Sequence, residues 1–465
     1  MIVNLSHLLL LKIVSYLEEN IDKICVSLVC KRLFSERDKY LYFNTDHLNV
    51  NISKEIDNLG GRSKSKSNKE APVYYIKSLF TMKSYRTSLL RSLGQKSNCT
   101  LIYGKAIYET DYSVNPYKYP VENIYGITPN ITKVEIAKPI DNKYLKEIYG
   151  MISNSNVSTL IGISSLSYVL PVNLTSITFN EKFNKALLAG QLPPNLKELI
   201  FEWNSIFNQP ISAGVLPNTL EKLMFGSYSY FNKPFEPHVL PSSLTYLELG
   251  RSYTQTLQVG SLPPNLRVLI HCGSYSKISA DESLDNLTAL TLFYRYDSVG
   301  TLDLSDLPAS LTSLDIESSL HLTSSLSPSI RYLSIHNSKY DVDEIFKDRS
   351  QYNFEILSVD GYKQESLENL KINELQLRFG KKGSIIREIP FGVETLEFGI
   401  DDEHLVKKNR KGIPSSVKKI IFNSCPTINE LDFKIPNSVE HVVIKAFYNG
   451  FSKILFSSLS SSCSI

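Results

Sequence analysis

The sequence predicts an α/β protein in which a small N-terminal helical module precedes a long solenoid of repeated coils. Two observations support this fold class. A unit of about 22 residues returns from residue 131 to residue 442, whereas the apolar residues near the N-terminus follow helical spacing. One unit of this size cannot bury its own apolar side, so it must stack on its neighbours. The repeats are therefore expected to build an extended surface.

The clearest copies of the unit begin with Leu-Pro and continue as a short strand. They start at Leu192, Leu216, Leu240 and Leu262, and the first reads Leu192-Pro193-Pro194-Asn195-Leu196-Lys197-Glu198-Leu199-Ile200-Phe201. The alternation of Leu199 and Phe201 places both side chains on the buried face of a strand. Since the Pro has no backbone donor, it is expected in the turn before the strand.

Weaker copies extend this array on both sides of the clear ones. Their apolar cores are Ile131-Val134-Ile136, Leu174-Ile177-Phe179, Leu287-Leu290-Leu292, Leu311-Leu314-Ile316, Ile330-Leu333-Ile335, Phe354-Leu357-Val359, Ile372-Leu375-Leu377, Val393-Leu396-Phe398, Val417-Ile420-Phe422 and Val439-Val442-Ile444. If Val157 also starts a unit, the mean step is about 22 residues. Residues 126–450 are therefore assigned to the solenoid.

Four further segments lie outside the solenoid. Residues 1–50 form the helical module, in which Leu5, Leu9 and Ile13 recur at helical spacing. Residues 51–71 are a flexible linker, because Gly, Ser and alternating Lys cannot bury apolar surface. Residues 72–125 form a transition region with degenerate repeats, with a helix expected at 75–93 and a strand-like segment near Thr100-Leu101-Ile102-Tyr103. Residues 451–465 form a Ser-rich tail that is expected to fray.

Composition and charge argue against several classes of protein. A net charge of +3 over 465 residues speaks against nucleic-acid binding through a basic face. No run of about 18 apolar residues exists to span a membrane, and Lys12 interrupts the leucines that might suggest a signal peptide. The six cysteines contain no CxxC pair, so neither a disulfide framework nor a zinc site is expected. A cytoplasmic location without cofactors is predicted, with a nuclear location as the alternative.

The segments between the strands carry a second motif. Phe207-Asn208-Gln209-Pro210-Ile211 returns as Phe231-Asn232-Lys233-Pro234-Phe235. The aromatic rings can stack on their equivalents in the next coil, and the Asn amide can bond to its backbone. With the following Gly-x-Leu-Pro-x-x-Leu-x-x-Leu-x-Phe, this pattern resembles the FNIP repeat, a relative of the leucine-rich repeat. The resemblance is strongest over residues 170–269, and the later units lack the Phe-Asn-x-Pro element.

The N-terminal module resembles an F-box. The string Leu28-Val29-Cys30-Lys31-Arg32-Leu33 is its most diagnostic part, and Ser6 and Leu8 stand where the family has Pro and an acidic residue. The resemblance implies docking on the Skp-type adaptor of a cullin-RING ubiquitin ligase. The matching positions are Leu5, Ser6, Leu8, Leu9, Ile13, Val29 and Cys30. A helical cap that shields the first apolar edge of the solenoid is the alternative.

The outward residues of the strands are the candidates for binding a target protein. In leucine-rich-type arrays such residues face the concave side, where ligands usually bind. Here they include Glu198, Ile200, Glu202, Lys222, Met224, Tyr246, Glu248, Val268 and Ile270. This mixture of apolar, aromatic and charged groups suits protein recognition better than small-molecule chemistry. The alternative is that they are ordinary outward positions that bind nothing.

Two single residues stand out from the repeat. His271 occupies a position filled elsewhere by Phe201, Phe225 and Leu249, so a core histidine is favoured over a polar pocket formed with Cys272. Trp203, the only Trp, follows a strand. Packing on a neighbouring coil is favoured for it over a role as an anchor for a partner.

An enzyme is the third class to weigh. A β-helix acting on glycosides would need paired carboxylates, but Asp303, Asp306 and Asp315 do not recur at one face position in adjacent coils. No motif for a nucleophile, a phosphate loop or a metal appears, so no catalytic site is predicted. The sequence instead predicts a ligase adaptor whose repeats hold a target protein near the ubiquitin-transfer machinery. The alternative is an interaction scaffold unrelated to ubiquitin.

Overall fold

The computed structural model describes most of the repeat array and the N-terminal module. The described residues are 5–17, 20–43, 48–50, 88, 92, 99–103, 131–136, 142–271, 284–293, 300–360, 367–378, 389–399, 413–423, 436–448 and 451–457. The predicted linker at 51–71 and nearly all of the predicted helix at 75–93 lie outside these residues. The chain divides into a first unit (residues 1–207 and 214–220) and a second unit (residues 208–213 and 221–465).

Four short helices form the N-terminal module, as the apolar spacing predicts. They are α1 His7–Ser15, α2 Asn20–Leu28, α3 Lys31–Ser35 and α4 Arg37–Tyr40. Ser6 caps α1, since its hydroxyl accepts a hydrogen bond from the Leu9 amide at 3.4 Å. The module has its own small core, consisting of Leu10, Val14, Ile24, Leu33, Tyr40, Leu41 and Phe43.

The strands of the first unit pair in parallel at the predicted spacing. They are β1 Leu48–Val50, β2 Cys99–Tyr103, β3 Ile131–Ile136, β4 Thr159–Ile163, β5 Ser176–Phe179 and β6 Glu198–Phe201, each paired with the next in this order. Strand β2 coincides with the degenerate repeat expected near residue 100. Helix α5, Asn142–Ser153, connects β3 to β4 and was not predicted.

The second unit continues the same arrangement through eleven paired parallel strands of the described chain. Its strands are β7 Lys222–Met224, β8 Tyr246–Glu248, β9 Val268–His271, β10 Ala289–Phe293, β11 Thr301–Asp303, β12 Ser313–Glu317, β13 His321–Thr323, β14 Tyr332–His336, β15 Asn353–Asp360, β16 Lys371–Arg378, β17 Thr395–Phe398, β18 Lys419–Phe422, β19 His441–Tyr448 and β20 Phe451–Ser457. The parallel ladder runs from β7 to β19. Strands β11 and β13 leave it and form a separate two-stranded sheet.

The end of the array differs from the sequence prediction. Residues 451–457 belong to the expected Ser-rich tail, but the structure places them in β20, which runs antiparallel to β19. Strand β20 contains the apolar run Ile454-Leu455-Phe456, and a following strand can use the open backbone groups of β19. The expectation from serine content that residues 451–457 would fray was therefore wrong.

Stacked aromatic rings fill the core beside the strands, which confirms the predicted role of the Phe-Asn-x-Pro element. In the first unit the Phe207 ring lies 6.0 Å from its equivalent Phe183 and 4.3 Å from the strand residue Phe201, between ring centroids. In the second unit Phe231 lies 3.9 Å from Phe225 and 6.0 Å from Tyr253. Aromatic pairs at these separations add to the stabilisation from burial alone.

The Asn of the same element joins successive coils, also as predicted. In the second unit the Asn232 amide N–H donates to Asn208 Oδ1 at 3.0 Å. The Asn232 Oδ1 in turn accepts from the Thr254 amide at 2.9 Å and from Gln255 Nε2 at 3.1 Å. Backbone groups that a tight turn leaves open are thereby satisfied by the neighbouring coil.

Candidate functional site

The N-terminal module places the predicted adaptor-binding residues in two different environments. Leu8, Leu9 and Val29 are exposed, and Ser6 is exposed as the cap of α1. Leu5 and Cys30 are partly buried and pack against the module core. Ile13 is also half-buried. The exposed residues are therefore available to a partner, whereas Leu5 and Cys30 also hold the module together.

Two apolar residues of the module that the sequence analysis missed, Tyr16 and Leu28, are also exposed. Large apolar side chains of the module keep the following fractions exposed: Leu8 79%, Leu9 52%, Tyr16 76%, Leu28 58% and Val29 59%. In α1, Leu10 and Val14 point into the core, so Leu9, Ile13 and Tyr16 lie along another face at helical spacing. The sequence of α1 could have indicated this exposure, because the helix carries more apolar residues than one buried face can hold.

Polar contacts fix the first turn of α1 against the later helices. Arg32 Nη2 donates to the Leu5 carbonyl at 3.3 Å, and Arg32 Nε lies 3.1 Å from Glu36 Oε2. His7 Nε2 lies 2.9 Å from the same Glu36 oxygen. The hydrogen bond with His7, together with Arg32 and Lys39, holds the pKa of the Glu36 carboxyl below its ordinary value. The start of α1 and the α2–α3 junction therefore lie side by side.

In the first unit, Glu198, Ile200 and Glu202 project from the outward face of β6 and its end, and all three are half-buried. The Ser176 hydroxyl donates to Glu198 Oε2 at 2.8 Å, and the Glu181 amide donates to Glu202 Oε2 at 3.1 Å. Burial raises the pKa of Glu202, and the negative charges of Glu181 and Glu135 add to this shift. This face is therefore acidic with an apolar centre.

In the second unit, the structure brings Lys222, Tyr246 and Glu248 together on β7 and β8. The Lys222 ammonium lies 4.8 Å from the centre of the Tyr246 ring. The Ser227 hydroxyl donates to Glu248 Oε1 at 3.2 Å. Burial raises the pKa of Glu248, although Ser227, Lys222 and Tyr246 partly oppose the shift. Met224 lies beside Glu248 in the strand register, and Val268 and Ile270 of β9 are half-buried next to this group.

A polar cluster on β14 and β15 was not found by sequence reasoning. His336 Nδ1 lies 3.0 Å from Asp360 Oδ1, and His336 Nε2 lies 3.1 Å from the Ser358 hydroxyl. His336 and Ser358 are buried. His336 lies about one repeat before Ser358 and Asp360 along the chain, so only the register of β14 against β15 reveals that they meet. Asp360 also accepts from the Asn337 amide, so the cluster joins the end of β14 to β15.

The two single residues of the sequence analysis have different outcomes. His271 is fully buried, and its ring centroid lies 6.0 Å from that of Tyr253 in an edge-on arrangement, as expected for a core histidine. Cys272 lies outside the described residues. Trp203 keeps 63% of its side chain exposed, so packing on a neighbouring coil covers only part of it.

The described parts of the chain contain neither a candidate metal site nor a membrane-spanning helix. Within them, no group of three or more His, Cys, Asp or Glu side chains is arranged to hold a metal ion. None of the helices described is both long and apolar enough to cross a bilayer.

Comparisons with known proteins bear on the repeats. The family model for the FNIP repeat matches residues 166–203, 183–228 and 231–270. A solved structure described as CroV588, a novel circular LRR protein, is 20% identical with a TM-score of 0.39. The alignment covers 76% of this chain but only 60% of that one. No curated protein matches the sequence. Residues 166–228 and 231–270 therefore contain FNIP repeats within a solenoid of parallel strands.

Proposed function

We propose that this protein is a substrate-recognition adaptor of a cullin-RING ubiquitin ligase. The observation that carries the proposal is the exposure of five large apolar side chains on the N-terminal module, those of Leu8, Leu9, Tyr16, Leu28 and Val29. A module of about 40 residues has little apolar area to spare. Exposing five large apolar side chains while keeping a separate core favours a partner that covers them. In the F-box that this module resembles, that partner is the Skp-type adaptor.

In this proposal the repeat array has a holding role. The outward strand residues of the first unit offer half-buried carboxylates beside Ile200, and those of the second unit offer Lys222, Met224 and Tyr246 beside the buried Glu248. This mixture of groups suits a protein target. Tethering target and ligase to one chain raises their effective concentration, so ubiquitin transfer gains from proximity without chemistry by this chain. The unidentified target, the adaptor and the cullin are the partners proposed.

The test is capture of a purified Skp-type adaptor by the full-length chain. We expect submicromolar binding that Leu9→Asp weakens at least about a hundredfold, because the charge would be buried in an apolar interface. Val172→Asp is the matched control, since Val172 is 62% exposed and Leu9 is 52% exposed. Circular dichroism would establish that both variants remain folded.

An interaction scaffold unrelated to ubiquitin is the second candidate. The FNIP repeats favour it, since a repeat solenoid is typical of proteins that bind other proteins. In that case the N-terminal module would only cap the array. A folded full-length chain that captures neither adaptor nor cullin would decide for the scaffold.

A further inference from the structure

Trp203 lies on a tight turn that follows β6 in the first unit. The turn is held by the Ser205 amide, which donates to the Glu202 carbonyl at 2.9 Å, and by the Ile206 amide, which donates to the Glu181 carbonyl at 2.8 Å. With 63% of its side chain exposed, Trp203 presents a large ring to solvent from a fixed backbone. An exposed tryptophan on an ordered turn is the type of residue that dominates binding energy at protein interfaces.

Two carboxylates are held at the turn that carries Trp203 by their own hydrogen bonds. Glu202 Oε2 accepts from the Glu181 amide at 3.1 Å, and Glu181 Oε2 accepts from Asn204 Nδ2 at 3.0 Å. Glu181 therefore lies against Asn204, the residue that follows Trp203 on the turn. The backbone of the turn and both carboxylates are held in place before any partner arrives, which reduces the entropy cost of binding.

Two acidic neighbours act on Glu202 at this surface. Burial raises the pKa of Glu202, and the charges that shift it further, those of Glu181 and Glu135, are both negative. The exposed Lys182 follows Glu181 in sequence, but the shift of Glu202 remains upward. A positive group placed near Glu202 would relieve this repulsion.

We propose that Trp203, Glu181 and Glu202 bind an arginine side chain of the target protein, an inference that rests on the proposed role of the array in holding a target. The planar guanidinium stacks on an indole and donates in a fork to carboxylates, so it meets all three groups together. A lysine offers a point charge that satisfies the carboxylates but covers less of the ring. The surface is therefore selective for arginine over lysine.

The experiment uses a phage-displayed library of random dodecapeptides and the immobilised full-length chain. The library is first passed over the Trp203→Ala chain, and the unbound phage are then selected on the unchanged chain. We expect the retained peptides to share an arginine. In the best peptide, Arg→Lys should weaken binding about threefold and Arg→Gln about tenfold or more. Because the chain has one Trp, fluorescence during titration reports on this surface directly.

Matched variants separate this site from general charge attraction. Glu202→Gln keeps an oxygen that accepts the Glu181 amide but removes the charge, so it should weaken the best peptide about fivefold. Leu188→Ala is the control, because Leu188 is 60% exposed, close to the 63% of Trp203, and it should bind like the unchanged chain. A retained pool without a shared arginine, an empty pool, or equal binding to Glu202→Gln would overturn the proposal.

The adaptor assay keeps the two proposals distinguishable. Trp203→Ala should capture the Skp-type adaptor as well as the unchanged chain does, because Trp203 lies outside the N-terminal module. Arginine-selective binding without adaptor capture would refute the ligase role and leave this inference standing. Adaptor capture without arginine selectivity would do the reverse.

Discussion

Replacing Phe231 by alanine tests whether the aromatic stacks hold the second unit together. Phe231 is fully buried, with its ring 3.9 Å from Phe225 and 5.5 Å from Phe235. Removing a fully buried Phe side chain costs about 3–5 kcal/mol, and the ring pairs of Phe231 place it at the upper end of that range. We expect Phe231→Ala to lower the free energy of unfolding by about 5 kcal/mol.

The assay is urea unfolding followed by circular dichroism. Tyr230→Ala is the matched control, because Tyr230 precedes Phe231 in sequence but is largely exposed. This control should change the free energy of unfolding by less than about 0.5 kcal/mol. A loss below about 1 kcal/mol in Phe231→Ala would refute the stacking argument, since it would mean that the coils collapse around the missing ring or draw their stability from elsewhere.

Three other predictions concern close backbone contacts, hydrogen bonds and burial in the first unit. Gly162→Ala should lower the free energy of unfolding by about 3 kcal/mol or more, because a Cβ would meet the Ile136 carbonyl oxygen at 2.0 Å. Gly190 has a similar positive φ, but a Cβ there would meet no atom, so Gly190→Ala should cost about 1–2 kcal/mol. Thermal unfolding of the two variants compares these losses. Asn173→Asp should cost about 1–3 kcal/mol in urea unfolding, since it removes the donor to three carbonyls at 2.7–3.3 Å. Burial raises the pKa of Tyr149 to about 12 from an ordinary value of 10.0. As the pH rises, Tyr149 therefore ionises first in the unfolded state, and the free energy of unfolding should fall by about 1.4 kcal/mol per pH unit between these two values. Urea unfolding from pH 9 to 12 measures this fall.

Each of these has an outcome that contradicts it. Equal losses at Gly162 and Gly190 would mean that the close approach to Ile136 is relieved by a backbone shift. An Asn173→Asp chain as stable as the unchanged one would remove the amide from the coil-to-coil contacts. Tyr149→Phe should abolish the Tyr149 part of the alkaline loss, and an unchanged pH profile in this variant would assign the loss to other groups.

Much of the solenoid could be read from the sequence because its signal is local. Leu196, Leu199 and Phe201 define a strand within six positions, and the same pattern returns often enough for weak copies such as Val393-Leu396-Phe398 to be placed. The structure finds a strand at each predicted core, including β4 after the uncertain start at Val157. The buried position of His271 followed from the same frame.

The elements that were not predicted either interrupt the 22-residue repeat or depend on which strands pair with each other. Helix α5 buries Leu145, Ile148 and Ile152 at helical spacing. It was not predicted, because the repeat pattern predicts a strand in each unit and no helix. Strands β11 and β13 each offer one buried residue, Leu302 and Leu322, which is too little to indicate a second sheet.

The candidate sites were predictable to a lesser degree. The outward positions followed from strand alternation, but the contact of Lys222 with Tyr246 requires the register between two strands. Exposure of Tyr16 and Leu28 required knowing which face of each helix the module core uses.

The equivalence of successive coils also bears on how such a chain can change in length. Leu223 pairs with Leu247, and Leu247 with Leu269, at the same point of each strand. Duplicating or deleting one whole coil by unequal crossing-over therefore gives every remaining coil a neighbour of the same kind, whereas losing a few residues within a strand does not. The genetic unit that can be gained or lost is thus the structural unit, and the length of the array can evolve in single steps of one coil.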